Sequence, residues 1–274
     1  MRTRACLFVS DVDGTLVTPD KDLTPAAIAA AGDLHAAGVP FTLVSARPPR
    51  GMAWLIAKLG VTQPFAAFNG GTLVGPDLQI LEAHRLAADA ASQTLALLEE
   101  RGIDAFVFAD GAWLVRDASG PHIARERHTV GFDPTEVANF DAVIDRIDKL
   151  VCVSDDTAAL DAVEATLRPA LKGRANIERS QPYYLDITHP VANKGDAVRR
   201  LAERLGVALA NTVVIGDMTN DLAMFRVAGF AIAMGQAPPA VKAEAAAVTG
   251  ANTEDGFAKA VRDLVLPRLA PAKV

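Results

Sequence analysis

The chain is poor in cysteine and aromatic residues, with two cysteines and 5% Phe, Trp and Tyr among 274 residues. Cys6 and Cys152 show no CxxC spacing and both sit in apolar runs. They read as free buried thiols, a pattern that fits a reducing cytoplasm. No stretch approaches 18 uninterrupted apolar residues, which argues against a membrane span. Met1-Arg2-Thr3-Arg4 before an apolar run imitates a secretion signal only faintly, because that run is short and Asp11 and Asp13 interrupt it. Positive charge is not in excess either. At a net charge of −6 the protein has no basic field for nucleic acid, which leaves room only for a local anion pocket. His35, His84, His122, His128 and His189 lack HxxxH or HExxH spacing and read as surface or structural residues. GxxxxGK[ST] and GxGxxG are absent, which counts against P-loop and dinucleotide binding.

Half of the residues are hydrophobic, ample for one large domain or two smaller ones. Short apolar runs alternate with helical stretches. Ala5-Cys6-Leu7-Phe8-Val9, Phe41-Thr42-Leu43-Val44 and Thr212-Val213-Val214-Ile215 read as buried strands. Thr24-Pro25 supplies an N-cap with proline at the first helical position, and Gly38 closes that helix. Residues 49–59 and 194–205 also read as helices. Strand–helix alternation at both ends of the chain predicts a doubly wound α/β core with a parallel sheet.

The middle of the chain has a different rhythm. A helix over about 86–101 precedes the run 105–109, then Asp110-Gly111, then Trp113-Leu114-Val115, which is a hairpin signal. Helices are expected over about 135–146 and 156–168, with a strand at 149–153 between them. Strands at 176–179 and 183–187 complete a second sheet. The reading is an inserted α+β domain at 83–188, with a discontinuous core of 1–82 and 189–274.

Asp11-Val12-Asp13-Gly14-Thr15 follows the first strand. Two carboxylates crowded at one strand end repel by about 4 kcal/mol at roughly 4 Å and an effective dielectric near 20. A hard divalent cation such as Mg²⁺ relieves that repulsion. Ser45 follows the second apolar strand, Lys194 opens a helix, and Asp217 and Asp221 follow the run 212–215. In open α/β sheets, ligands bind beyond the carboxyl ends of the strands. These groups suit phosphoryl transfer: a carboxylate nucleophile, a second carboxylate for proton transfer, and a hydroxyl and an ammonium for the phosphoryl oxygens. Each has a plainer reading. Asp13 precedes a turn glycine, Asp217 and Asp221 could cap a helix, Ser45 could be a loop hydroxyl and Lys194 a solvated lysine. Arg125-Glu126-Arg127-His128 reads first as a solvated charged face, the lesser alternative being a loop of the inserted domain that meets an anionic substrate. Trp113, Tyr183 and Tyr184 read first as sheet packing residues, the lesser alternative being that one of them lines a sugar pocket.

Taken in order, Asp11-Val12-Asp13-Gly14-Thr15, Ser45-Ala46-Arg47-Pro48, Asn193-Lys194-Gly195 and Gly216-Asp217-Met218-Thr219-Asn220-Asp221 resemble the four motifs of the haloacid dehalogenase superfamily. Asn69-Gly70-Gly71 and the large middle insertion make the chain most similar to Cof-like sugar phosphatases with a type IIB cap. The resemblance implies a Rossmann-like core, a cap inserted between the second and third motifs, and Mg²⁺ as cofactor. It implies Asp11 as nucleophile and metal ligand, and Asp13 as acid/base with its carbonyl on the metal. It further implies Ser45 and Lys194 on the phosphoryl group, and Asp217 and Asp221 at the metal. Gly14, Thr15, Ala46, Arg47, Asn69 and Asn220 would complete the substrate side. Two positions depart from the pattern: Ala46 stands where glycine is frequent, and Met218 where a small residue is common. The expected activity is hydrolysis of a small phosphorylated metabolite, a sugar phosphate, through an aspartyl-phosphate. A phosphomutase using the same aspartate, or a non-enzymatic phospho-switch, are the alternatives. No nucleic-acid or membrane partner is expected, and oligomeric state is left open.

Overall fold

The computed structural model describes residues 7–268. Cys6, and the first two residues of the expected opening strand, lie outside them. In chain order the elements are β1 (Leu7–Ser10), α1 (Pro25–Ala36), β2 (Phe41–Leu43), α2 (Pro49–Leu59), β3 (Phe65–Ala67), β4 (Thr72–Val74) and β5 (Ile80–Ala83). Then follow α3 (Ala88–Arg101), β6 (Asp104–Ala109), β7 (Ala112–Val115), α4 (Ile123–Val130), β8 (Thr135–Glu136), β9 (Ile147–Val153), α5 (Thr157–Ala170), β10 (Asn176–Gln181) and β11 (Tyr184–Thr188). The chain closes with α6 (Lys194–Arg204), β12 (Thr212–Gly216), α7 (Leu222–Phe225), β13 (Phe230–Ala233), α8 (Pro239–Ala243), β14 (Ala247–Val248) and α9 (Gly256–Ala260).

The first sheet is parallel throughout, in the order β14-β13-β12-β1-β2. Its strands alternate their faces, as a pleated strand must. Leu7 and Val9 pack with Val214, Ala197 and Val198 on one side. Phe8 packs on the other side with Phe41, Leu34 and Phe257. The Phe8, Phe41 and Phe257 rings lie 5.7–5.9 Å apart. Strand order reverses at β1, because β2 lies on one flank and β12 on the other. Such a switch point opens a crevice at the strand ends. A small antiparallel sheet, β3-β4-β5, joins the parallel one through a bridge between Val44 and Ala66.

The second large sheet, β10-β11-β9-β6-β7-β8, uses only residues from the middle of the chain. Helices α3 and α5 contribute Leu98, Leu160 and Val163 to a core with Leu150, Cys152, Leu185 and Ile187 on one face. Asp110 and Gly111 both have positive φ, at 50° and 76°, as a tight hairpin turn requires.

One expected element is absent. Residues 135–146 do not form a helix. Thr135 and Glu136 pair with Leu114 and Val115 as an edge strand, and a single 3₁₀ turn follows at Asp141–Val143. Pro134 and the Asn139 side chain, which accepts from the Asp141 amide at 3.1 Å, favour a turn. The helix of this region is α4, which carries the charged run 125–128.

Candidate active site

The sheet edge is built so that three loops converge. The Asp11 amide donates to the Ile215 carbonyl at 3.0 Å, tying the turn after β1 to β12. The Ser45 amide donates to Ala66 and the Ser45 carbonyl accepts from Asn69, at 3.0 and 2.8 Å. Asn193 caps α6 by accepting from the Asp196 amide at 2.9 Å, which places Lys194 in the first turn. Gly14 has φ of +86°, and a side chain there would run into the Asp217 carboxylate. That glycine therefore admits both the turn and the acidic neighbour.

Lys194 is buried, and its Nζ donates to Asp11 Oδ1 at 2.6 Å and Asp221 Oδ1 at 2.5 Å. Asp221 Oδ2 accepts from the Asp217 and Met218 amides at 2.7 and 2.9 Å. Asp221 thus caps the loop after β12, and both of its oxygens already have partners. Asp217 accepts from Thr15 Oγ1 at 3.2 Å and from Gln236 Nε2 at 3.4 Å. Burial pushes the Asp11 carboxyl above the usual range; Lys194 opposes this, and Asp221 reinforces it. Burial also raises Asp217, with Asp11 and Asp221 adding to the effect. Lys194 is raised by Asp11 and Asp221 despite its burial.

Asp11, Asp217 and Asp221 each offer an oxygen within 4.8 Å of the others. A single ammonium in contact with this cluster leaves two carboxyls disfavouring their charged forms. The donor set is all oxygen and under-compensated, so it can hold a metal ion and fits a hard cation. The Asp13 side chain lies outside this cluster. Its oxygens accept from Arg47 Nε and Nη2, both at 2.8 Å, and from Lys21 Nζ at 2.8 Å. Against its burial, the Arg47 hydrogen bonds and charge, then Lys21, hold this carboxyl well below the usual range. Arg47, expected on the substrate side, is 3% exposed and spends its guanidinium on Asp13.

A cavity of about 290 Å³ sits over these groups. Asp11, Asp13, Ser45, Ala46, Arg47, Lys194, Asp217 and Asn220 line it. Gly14, Thr15, Asn69 and Asp221 are not part of its lining and support it from behind. Asn69 accepts from Asn220 Nδ2 at 3.4 Å, which steadies that side chain. Lys21, Gln236 and Lys149 were not singled out in the sequence, and Glu126 and Tyr184 were read there first as a solvated face and a packing residue. Lys149 and Asp186 had a usable signal, since each interrupts an apolar strand. Lys21 and Gln236 had none, because loop closure alone brings them in.

A family profile described as haloacid dehalogenase-like hydrolase matches residues 8–261. A pyridoxal phosphate phosphatase of Escherichia coli is 29% identical over 270 residues, covering 94% of this chain and 97% of that protein. An HMP-PP phosphatase of Cronobacter sakazakii is 29% identical over 242 residues, covering 88% of each chain. Among solved structures, a haloacid dehalogenase-like hydrolase from Bacteroides thetaiotaomicron superposes with a TM-score of 0.86 at 25% identity, covering 94% of this chain and 99% of that one. A subclass IIB sugar phosphatase shares the fold with a TM-score of 0.83 at 21% identity, covering 94% of this chain and 98% of that one.

Proposed function

This chain belongs to the haloacid dehalogenase-like hydrolase family, and from that membership we propose that it is a Mg²⁺-dependent phosphatase of a small sugar phosphate. The Lys194 bridge between Asp11 and Asp221, beside Asp217 at a switch-point cavity, carries the reading. The named relatives act as phosphatases on small phosphorylated compounds, which supports the reaction class. The core is taken as 1–82 and 189–274, and the cap as 83–188. A cytoplasmic location belongs to the same proposal. Among the described residues no helix is long and apolar enough to cross a membrane.

In this reading an Asp11 oxygen attacks phosphorus and the ester bond to the leaving group breaks, giving an aspartyl-phosphate. Asp13 delivers the proton to the departing oxygen. Asp13 next takes a proton from water, which attacks phosphorus and frees Asp11. The ion pairs of Asp13 with Arg47 and Lys21 must loosen as substrate enters, since a proton donor cannot remain a paired carboxylate. Lys194 and the Ser45 hydroxyl hold phosphoryl oxygens. Mg²⁺ would be held by Asp11, Asp217 and the Asp13 carbonyl, with Asp221 completing the acidic set directly or through water. When bound, it would shield the phosphoryl charge.

Phosphate release should fall by at least about 10³-fold in Asp11→Asn and should vanish on chelation, returning with Mg²⁺. Undiminished turnover by the variant would refute the nucleophile assignment. Isomerised sugar phosphate without stoichiometric free phosphate would identify a mutase instead.

A further inference from the structure

We propose that Glu126 and Tyr184 form the leaving-group subsite and select a polyhydroxylated leaving group over a planar aromatic one. The inference rests on the phosphatase reading above and concerns the half of the cavity that the core motifs do not build. Strand alternation creates that half. In β9 and β11, Leu150, Cys152, Leu185 and Ile187 face the core shared with α3 and α5. Lys149, Val151 and Tyr184 line the cavity instead, and α4 adds Arg125, Glu126 and Thr129.

Most polar groups there are already spent. Lys149 Nζ lies 3.3 Å from Asp186 Oδ2 and donates to the Ala46 carbonyl at 3.1 Å. Ser180 Oγ donates to Asp186 Oδ1 at 3.0 Å. Arg125 Nη1 donates to the Tyr183 hydroxyl at 2.9 Å. Tyr184 and Glu126 stand out among those that remain. Tyr184 is 7% exposed, and its buried hydroxyl makes no hydrogen bond. Glu126 is also 7% exposed, its carboxyl comes close enough to that hydroxyl for the two to interact, and it makes no ion pair among the described residues. Burial pushes its carboxyl above the usual range. An unmade buried hydrogen bond costs about 1–3 kcal/mol. A substrate hydroxyl can donate and accept at once, so one such group satisfies both.

The aromatic rings point the same way. A flat leaving group binds well when an aromatic face is free to stack on it. The Tyr183 ring is stacked on His122 at 4.2 Å, and the Arg125 guanidinium lies 5.1 Å from its centroid. Tyr184 meets Phe106, His122 and Tyr183 edge-on. The rings at the cavity are thus engaged with each other. Sites built to pair a hydroxyl reject analogues that lack it far more strongly than apolar pockets reject an extra methylene.

The test compares kcat/KM for hexose 6-phosphates, pyridoxal 5′-phosphate and p-nitrophenyl phosphate in the wild type, Tyr184→Phe and Glu126→Gln. Tyr184→Phe removes a hydroxyl whose interacting neighbour in the protein is the Glu126 carboxyl and leaves the ring packing intact, so it should fold normally. The wild type should prefer a hexose phosphate to pyridoxal 5′-phosphate. Each variant should lose about tenfold or more on the hexose phosphate, mostly through KM, equivalent to roughly 1.4 kcal/mol. The loss on p-nitrophenyl phosphate, which offers no hydroxyl to this pair, should be smaller than the loss on the hexose phosphate. Equal losses on all three substrates, or a wild-type preference for pyridoxal 5′-phosphate, would overturn the subsite. Absence of wild-type turnover on every substrate would overturn the phosphatase reading itself, and the subsite with it.

Discussion

Single carboxyls in this protein are governed mainly by burial, and the balance differs from site to site. Asp148 shows burial winning over an ion pair. It lies 3.7 Å from Arg85, yet burial pushes its carboxyl up to about 6. Because the folded value lies above the unfolded one, the protonated form stabilises the fold at low pH. That contribution is present below about 4 and is lost as pH rises through about 6. Asp148→Asn should therefore raise stability at pH 7.5 by up to about 3 kcal/mol, with the gain shrinking towards pH 4. Urea denaturation at both pH values reads this, and an equal effect at both would contradict it. At Asp13 the two cations win and the carboxyl stays charged. Asp11 and Asp217 are raised, so protons compete with any cation for their oxygens. The stabilisation that millimolar Mg²⁺ confers in thermal melts should accordingly be larger at pH 8 than at pH 5. A pH-independent shift would argue against these carboxyls as ligands.

Between elements, the cap face of β9 and β11 holds the clearest case of interdependence. Lys149 and Asp186 are 5% and 1% exposed and pair across those neighbouring strands. Removing one member of a buried pair strands the other charge, at about 3–5 kcal/mol. Lys149→Met alone should therefore destabilise strongly, while Lys149→Met with Asp186→Leu should recover most of the loss. Additive losses in a double-mutant cycle would show that the two charges act independently. The absence of the expected 135–146 helix belongs to the same scale. Its apolar spacing suited a helix, but pairing with β7 offered Thr135 and Glu136 backbone partners that a local reading does not weigh. The helices at 25–36, 49–59 and 157–170 were legible because caps and periodicity agreed there. The charged run of α4 looked like a solvated face, although Glu126 within it is buried.

Across the whole molecule, the two chain segments that join the large sheets meet each other. His84, just after β5, stacks on His189, just after β11, at 5.1 Å. Glu82 accepts from His84 at 2.6 Å and from Arg200 at 3.1 Å, and Arg200 also binds the Gly70 carbonyl. Burial, then the His84 and Arg200 charges, lower the His189 imidazole from its ordinary value. With the folded value depressed, the contribution of His189 is intact above about 6.5 and declines as pH falls through the lowered value. His189→Gln should thus weaken the loss of melting temperature between pH 7 and pH 5. Identical pH dependence in variant and wild type would remove this histidine from the account.

The sequence alone determined where the candidate site residues of the core stand in the chain. Asp11, Ser45, Lys194 and Asp217 stand at strand ends or a helix start, and strand-to-helix punctuation is a local property that short stretches of chain carry. The parallel core followed from the same alternation. Tertiary structure decided how these groups share charge. It set Lys194 between Asp11 and Asp221, turned Asp221 into a cap for two amides, and gave Asp13 to Arg47 and Lys21. It also decided the other wall of the cavity, where β9, β11 and α4 bring Lys149, Tyr184 and Glu126 together. Electrostatic coupling and burial depend on distance through space, and only the folded chain sets those distances between residues remote in sequence.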